Sequence, residues 1–452
     1  MHKFKQFWSN LRSSFWFMPS LIVVANIAFA AALIETDSIG SDRWLAQWPR
    51  LFGIGADGAR QMLSTLAGSM MSVLGITFSM TLVALALASS LYTSRILRNF
   101  MGSRVTQLTL GIFAGVFAYC LVVLRAVRGG GGVDEFVPSL AVFFAFILAL
   151  AGIGVLVFFI HHIATSIQAS SIIASIAQDT IASIERLFPE KLGHGPDEDE
   201  DQDQMLRSQS ERTWQPVPAG SDGYIQSVGN DALLRLARDR KTVVRMERGI
   251  GAFVVQNTAL ASLALDEPPD QETIKALNNA YNIGRHRTVE QDPAFGIRQI
   301  VDMALKALSP GVNDTSTAVM CVDYLTAILA QLAPRKFPAS LRYEGDRLSV
   351  IAIAPTFEGL LAEAFDQIRG SAIGNVGIMA RMLSALETLA SLITSPRRRR
   401  ALHEQVLWIA EVAGRTTESA HERERLARRL MEVRQVLQAE PALNDGEENI
   451  VL

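Results

Sequence analysis

Four uncharged, mostly apolar runs crowd into the first 160 positions, at 15–34, 61–92, 105–124 and 136–160. A helix that crosses a bilayer needs about 20 such residues, and a helix that is apolar all round must be buried in a large core or in lipid. Four in so short a stretch leave no polar chain from which to build a covering core. Composition agrees: charged residues make up only 19% of the chain, against about 25% in soluble domains. The same hydrophobicity excludes disorder over most of the length.

Charge divides the chain. Residues 1–160 hold 11 Lys/Arg against 6 Asp/Glu, whereas the remaining 292 hold 31 against 39. An apolar N-terminal third therefore precedes a polar, acidic remainder. Lys3, Lys5 and Arg12 before the first run, with Ala28-Phe29-Ala30 inside it, imitate a secretory leader. Three further runs favour an uncleaved first span. Phe7, Trp8, Phe15, Trp16 and Phe17 have the composition of an interfacial aromatic belt. With the N-terminus inside, Lys3, Lys5, Arg12, Arg95, Arg98 and Arg104 are cytoplasmic and Arg43, Arg50, Arg60, Arg125 and Arg128 are not. The acid-free 93–104 loop tips that near-balance towards cytoplasmic termini.

Small residues mark the spans. Ser64, Gly68, Ser72, Gly75 and Ser79 fall on one helical face of the second run, widened by Thr65, Ser69 and Thr77. Gly111, Gly115 and Ala118 mark the third, and Ala141, Ala145, Ala149 and Gly152 the fourth. Such faces let backbones approach where lipid supplies no hydrophobic drive. The hydroxyl-rich second run carries two readings, a packing seam or a pore wall. His161 and His162 close the fourth run, about 100° apart on a helix; they suit interfacial anchors better than joint metal ligands.

Five segments follow: a four-helix transmembrane domain at 1–165, an amphipathic helix at 166–188 that extends the fourth span, an acidic and Pro-rich linker at 189–222, a cytoplasmic α+β domain at 223–440, and a tail at 441–452. On 166–188, Ile173, Ile176, Ala177, Ile184, Leu187 and Phe188 share one face, suited to an oligomer axis or to a plain connector. Six acidic residues between Asp197 and Asp203 form a solvated run. Strand patterns fall at 224–228, 242–247, 252–262 and 347–354. Helix patterns fall at 230–240, 270–283, 295–308, 314–332, 358–369 and 375–394, with two more across 397–438. The fold class is thus a membrane all-α region plus a mostly helical α+β domain.

The segment 285–314 carries the densest chemistry. Asp292-Pro293 suits a helix start. Ile297, Ile300, Val301, Ala304 and Leu308 give a buried face. Ser309-Pro310-Gly311 ends it, and Asn313 or Asp314 caps the next helix. Two readings stand for the polar residues. Arg287, Asp292, Arg298 and Asp302 form a charge network that locks the turn, or Arg285, His286, Arg287 and Arg298 form an anion pocket. The string Gln-Asp-Pro-x-Phe-Gly-x-Arg-Gln followed by Ser-Pro-Gly-x-Asn-Asp, together with the four spans, resembles a family of bacterial predicted membrane proteins, the domain of unknown function 2254. The matching positions are Gln291, Asp292, Phe295, Gly296, Arg298, Gln299, Asp302, Ser309, Pro310, Gly311, Asn313 and Asp314. The resemblance implies an inner-membrane protein and carries no catalytic role.

Metallohydrolase, nucleophile-elbow, phosphate-loop and paired-cysteine motifs are absent from the sequence. No catalytic residue, metal or cofactor is expected. Cys120 and Cys321 cannot build a disulfide framework. Gly129–Gly132 follows no strand and reads as a loop. The basic run 397–400 reads as a solvated helix start or a contact with anionic lipid, and an acidic soluble part opposes nucleic-acid binding. The expected partners are the bilayer and further copies of the chain, with any small-molecule ligand unknown. The expected function is an oligomeric channel-like or transport protein with a cytoplasmic regulatory domain; the alternative is a non-conducting scaffold or sensor.

Overall fold

The computed structural model describes residues 16–38, 55–91, 104–129, 136–166, 168–188 and 212–438. Most of the aromatic belt, the acidic run, most of the four-glycine loop and the tail lie outside these residues. The chain divides into two units, Met1–Ser171 and Ile172–Leu452.

The first unit contains α1 (Phe17–Ser38), α2 (Ala56–Leu91), α3 (Arg104–Ala126) and α4 (Ser139–Ser166). Helix α3 packs against each of the other three and is the most buried. Its glycines explain why. A Cβ on Gly111 would come within 2.7 Å of Ile22 Cδ1 and one on Gly115 within 2.6 Å of Asn26 Nδ2, so only glycine admits α1 this closely. On α4, Ala141, Ala145, Ala149 and Gly152 are all buried, and Gly152 faces Phe113 and Met70. Polar contacts fix one end of the bundle. Asp37 accepts bonds from the amides of Leu140 (3.1 Å) and Ala141 (3.3 Å) at the start of α4, and the Tyr119 hydroxyl donates to the Ala141 carbonyl at 2.8 Å. An antiparallel bridge between Arg128 and Phe136 joins α3 to α4. The outer surface is apolar: Leu21, Val24, Met71, Ile76, Phe78, Leu82, Phe146, Leu150, Ile153, Val157 and Phe158 are exposed. Water would not tolerate so large a patch; lipid requires it.

Helix α4 ends at Ser166 and α5 (Ala169–Leu187) begins as a separate helix, so the segment read as an extension of the fourth span is not continuous with it. The amides of Gln168 and Ser171 bond back to the carbonyls of Thr165 and Gln168.

Within the second unit, α5 buries Ile172, Ile173, Ile176, Ala177 and Ile184. A five-stranded sheet has the order β1-β5-β3-β8-β7, and a three-stranded sheet the order β4-β2-β6. The strands are β1 (Gln215–Pro218), β2 (Gly223–Val228), β3 (Val244–Met246), β4 (Phe253–Val254), β5 (Ala259–Leu263), β6 (Tyr281–Gly284), β7 (Leu341–Glu344) and β8 (Arg347–Ile351). Among the described residues only β3 and β8 pair in parallel. Helices α6 (Asn230–Asp239) and α7 (Gln271–Ala280) pack Leu233, Leu236 and Leu277 into the core these sheets share. The rest is helical: α8 (Pro293–Ala307), α9 (Thr315–Leu332), α10 (Phe357–Ser371), α11 (Val376–Leu392), α12 (Pro396–Thr416) and α13 (Ala420–Gln438). Side chains set their starts. Asp270, Asp292, Asp314, Thr356, Asn375 and Ser395 each accept a bond from the amide three residues on, satisfying donors that a bare helix start would leave open.

Several sequence expectations need correction. The stretch read as linker up to 222 contains β1, because Pro216 and Pro218 are tolerated on an edge strand that needs no outer hydrogen bonds. The single strand expected at 252–262 is two strands in different sheets, parted by a turn with Asn257 at φ 66. The helix expected to run to 283 stops at Ala280, since Tyr281–Gly284 pairs with β2. The basic run does start a helix, α12, but only part of it is solvated: Arg400 is exposed, whereas Arg398 and Arg399 are drawn inward. Arg398 is buried and donates to the carbonyls of Ala333 (2.8 Å) and Arg335 (3.0 Å) at the end of α9. Arg399 donates to Ala390 and Ile393 at the end of α11 and to Val436 and Leu437 near the end of α13. Two guanidinium groups thus satisfy carbonyls at three helix ends, where cations also oppose the helix dipoles.

Candidate functional site

The start of α8 gathers most of the singled-out polar residues. Asp292 is its N-cap, with Pro293 in the first turn and the Phe295 amide 3.2 Å from Asp292 Oδ1. Arg287 donates to Asp292 Oδ2 from both Nε and an outer nitrogen at 2.8 Å, and its guanidinium lies over the Phe295 ring, 5.2 Å from the centroid. Gly251, at φ +83, brings its backbone against this pair; a Cβ there would fall 2.4 Å from Asp292 Oδ2. Asp292 is 5% exposed. Burial pushes its carboxyl above the ordinary value and outweighs the opposing pull of Arg287.

One helical turn on, Arg298 donates to Asp302 Oδ1 at 3.0 Å and to Glu363 Oε1 on α10 at 3.3 Å. The four charges proposed as one network are therefore two pairs, Arg287 with Asp292 and Arg298 with Asp302, and Glu363 is the member that sequence reasoning missed. It stands 65 positions from Arg298 on another helix, so no local spacing could have shown it. Gln291 Oε1 accepts the Val228 amide at 3.1 Å and ties β2 to this turn. Gln299 is buried. Arg285 and His286 have exposed side chains; the His286 carbonyl takes a bond from Gln226 at 2.7 Å. The residues proposed as an anion pocket are split, since Arg287 and Arg298 are committed to carboxylates.

At the far end of α8 the Ser-Pro-Gly-x-Asn-Asp loop is exposed from Pro310 to Asp314. Asn313 sits at φ 45 and donates its amide to Ser309, and the Asp314 amide reaches Ala307. An asparagine tolerates this left-handed turn better than most residues. Asp314 then caps α9 and holds both the amide and the hydroxyl of Thr317, at 3.0 and 2.6 Å. These bonds favour the carboxylate and hold Asp314 below its ordinary value.

Helix α5 is fastened to the same place. Ser183 donates to the carbonyls of Val289 (2.7 Å) and Glu290 (3.1 Å). A Cβ on Gly296 would lie 1.9 Å from Thr180 Oγ1, so the motif glycine is where α5 meets α8. Lower down, Arg335 donates to the Phe188 carbonyl at 2.7 Å and Phe188 packs on Phe337. The apolar face read as an oligomer axis is covered by its own unit. This clamp holds structure together; among the described residues no group of three or more His, Cys, Asp or Glu side chains is placed to hold a metal ion.

The α2 stripe behaves differently. Ser64, Gly68, Ser72, Gly75 and Ser79 are all exposed, and a Cβ on Gly68 or Gly75 would meet nothing within 4 Å. Ala59, Leu63, Ala67 and Met70 turn inward instead. Thr65 and Ser69 share the open side and Thr77 is buried. Ser72 donates to the Gly68 carbonyl at 3.0 Å and Thr65 to Gln61 at 2.8 Å, so these hydroxyls are satisfied within their own helix.

Known proteins place this architecture. The family described as "Predicted membrane protein (DUF2254)" matches residues 12–388. Uncharacterized protein Rv1290c of Mycobacterium tuberculosis strain H37Rv and uncharacterized protein Mb1321c of Mycobacterium bovis are each 29% identical over 418 residues, covering 90% of this chain and 77% of the relative. No solved structure gives a significant match. The match spans both the apolar-surfaced helices and the clamped motif, and the chain belongs to the DUF2254 family of predicted membrane proteins.

Proposed function

We propose that the protein is an oligomeric, channel-like component of the bacterial inner membrane, with four spans, both termini in the cytoplasm and a regulatory C-terminal unit. Among the described residues five helices are long and apolar enough to cross a bilayer, α9 among them. Three features favour four spans. Helix α9 starts at a side-chain cap, buries Cys321, Leu325, Ile328 and Leu332 within its own unit, and carries Asp323 paired with Arg381.

The observation that carries the assembly is the open α2 face. A helix of 36 residues is about 54 Å long at 1.5 Å per residue, and its small, hydroxyl-bearing side is left uncovered, whereas the Gly111 and Gly115 face of α3 and the Ala141, Ala145, Ala149 and Gly152 face of α4 are packed. In lipid a groove of that kind suits close approach of another helix. Copies arranged around it would place the Ser64, Ser72 and Ser79 hydroxyls along a shared axis. The test replaces Ser72 with Cys after Cys120 and Cys321 are changed to Ala. A membrane-impermeant thiol reagent should label it, and labelling should alter ion flux in vesicles. Absence of labelling along the whole stripe, with no flux under voltage, would remove the conducting reading.

A second reading is a non-conducting sensor or scaffold. It is favoured by the back-bonded hydroxyls, which need no water, and by the clamp, through which any ligand or partner of the C-terminal unit would pull on α5, three residues after α4 ends. Reporter fusions test the topology shared by both readings: cytoplasmic signals are expected after Arg98 and Leu452, and outside signals near Gly55 and Gly131.

A further inference from the structure

A groove of about 470 Å³ lies between α9, α11 and α13, within the size range of small-ligand sites, roughly 300–1,000 Å³. Its floor is Val319, Gly377 and Ala380, four guanidinium groups line it, Arg381, Arg425, Arg428 and Arg429, and Ser384 and the Glu432 carboxylate complete the lining. Gly377 keeps the floor open: a Cβ there would meet only Asn375 Oδ1 at 3.4 Å and Thr315 Cγ2 at 3.8 Å.

The donors are unequally committed. Arg429 is held by Ser384, Glu387 and Glu432. Arg381 gives its Nε to Asp323 and keeps its two outer nitrogens. Arg428 reaches Glu424 only at 3.5 Å, between side chains 69% and 72% exposed, a pair of little strength. Among the described residues no carboxylate lies within ion-pair distance of Arg425. The α13 wall thus presents Arg425 and Arg428 one turn apart, and Arg381 stands on α11.

We infer that this groove binds a small phosphate-bearing anion. Planar guanidinium forks on two walls match a tetrahedral oxyanion better than a single carboxylate, and the aliphatic floor accommodates the carbon body of the ligand. The phosphate belongs either to a soluble ester or to an anionic lipid headgroup. This assignment is independent of whether the assembly conducts.

The test uses the full chain in nanodiscs of zwitterionic lipid, with inorganic pyrophosphate as the probe and calorimetry as the readout. Saturable binding is expected. The Arg425→Gln/Arg428→Gln double variant should weaken it about tenfold or more through lost charge-assisted bonds. Arg423→Gln, on the same helix but outside the groove, should leave it unchanged. Both replaced side chains are exposed, so melting should not move. Gly377→Leu, which fills the floor and keeps every charge, should abolish binding too. Discs containing phosphatidylglycerol separate the sources: a weakened pyrophosphate isotherm assigns the headgroup, and an unchanged one assigns a soluble ester. No saturable binding, or equal weakening by Arg423→Gln, overturns the site.

Discussion

Helices α2 and α3 carry the same sequence signal and meet opposite fates. Gly111 and Gly115 on α3 lie under α1 so closely that a methyl group would collide, whereas Gly68 and Gly75 on α2 face open space. The buried side of α2 is instead Ala59, Leu63, Ala67 and Met70. A small-residue stripe therefore states where a backbone can be approached, not whether its partner lies in the same chain. Gly296 extends the contrast into the C-terminal unit, where Thr180 of α5 fills the space a side chain would take.

The comparison can be broken by filling each face. Gly296→Val should cause the largest loss. Its Cβ would start 1.9 Å from Thr180 Oγ1, so α5 must move, at a cost of about 3 kcal/mol; thermal melting of the full chain in detergent measures it, and an unchanged melt would mean that the α5–α8 contact is dispensable. Asp292→Ala comes next. It removes a helix cap and leaves Arg287 without its partner, together about 2 kcal/mol given that Arg287 keeps some solvent contact.

Gly115→Val and Gly68→Val form the direct test within the membrane unit. The first should lower the melt by about 1–2 kcal/mol through overpacking against Asn26. The second should leave the protomer's melt where it was and, if copies assemble through α2, shift the oligomer to smaller species in native mass spectrometry. Equal effects in both would erase the distinction. Asp302→Ala should cost only about 1 kcal/mol, less than a buried pair would, because Glu363 remains on Arg298; a loss of about 3 kcal/mol would show that Glu363 does not share the charge.

The smallest effect is in acid. Bonds from Thr317 hold Asp314 below its ordinary value of 3.8. A depressed carboxyl contributes stability that is complete above the unfolded value and lost as pH falls through the folded one. Wild type should therefore lose a component of stability below pH 3.8 that Asp314→Asn lacks, and parallel melting curves through that window would exclude it.

Local signals carried much of this molecule. Asp292-Pro293 and Asn313-Asp314 marked helix boundaries because capping depends on neighbours three residues apart, and the structure places Asp292 and Asp314 at those caps. The pairing partners were less accessible. Glu363 reaches Arg298 only because α10 packs on α8, and Arg398 and Arg399, legible only as a basic run, are drawn to carbonyls more than 60 and about 38 positions away. β1 and β6 were hidden for a related reason: a Pro-bearing edge strand and a four-residue strand gain their stability from the neighbour they pair with, β5 and β2, and have little periodicity of their own.

By itself the sequence determined the apolar spans, their small-residue faces and the turn chemistry around α8, since bilayer partition, close approach and capping are set by residues near one another along the chain. Only the tertiary structure decided that α5 is clamped to α8 through Gly296 and Ser183, that the amphipathic face is occupied, and that the α2 stripe is open. Those outcomes depend on which surfaces meet in space, and the periodicity of a single helix is the same whether its face is covered or bare.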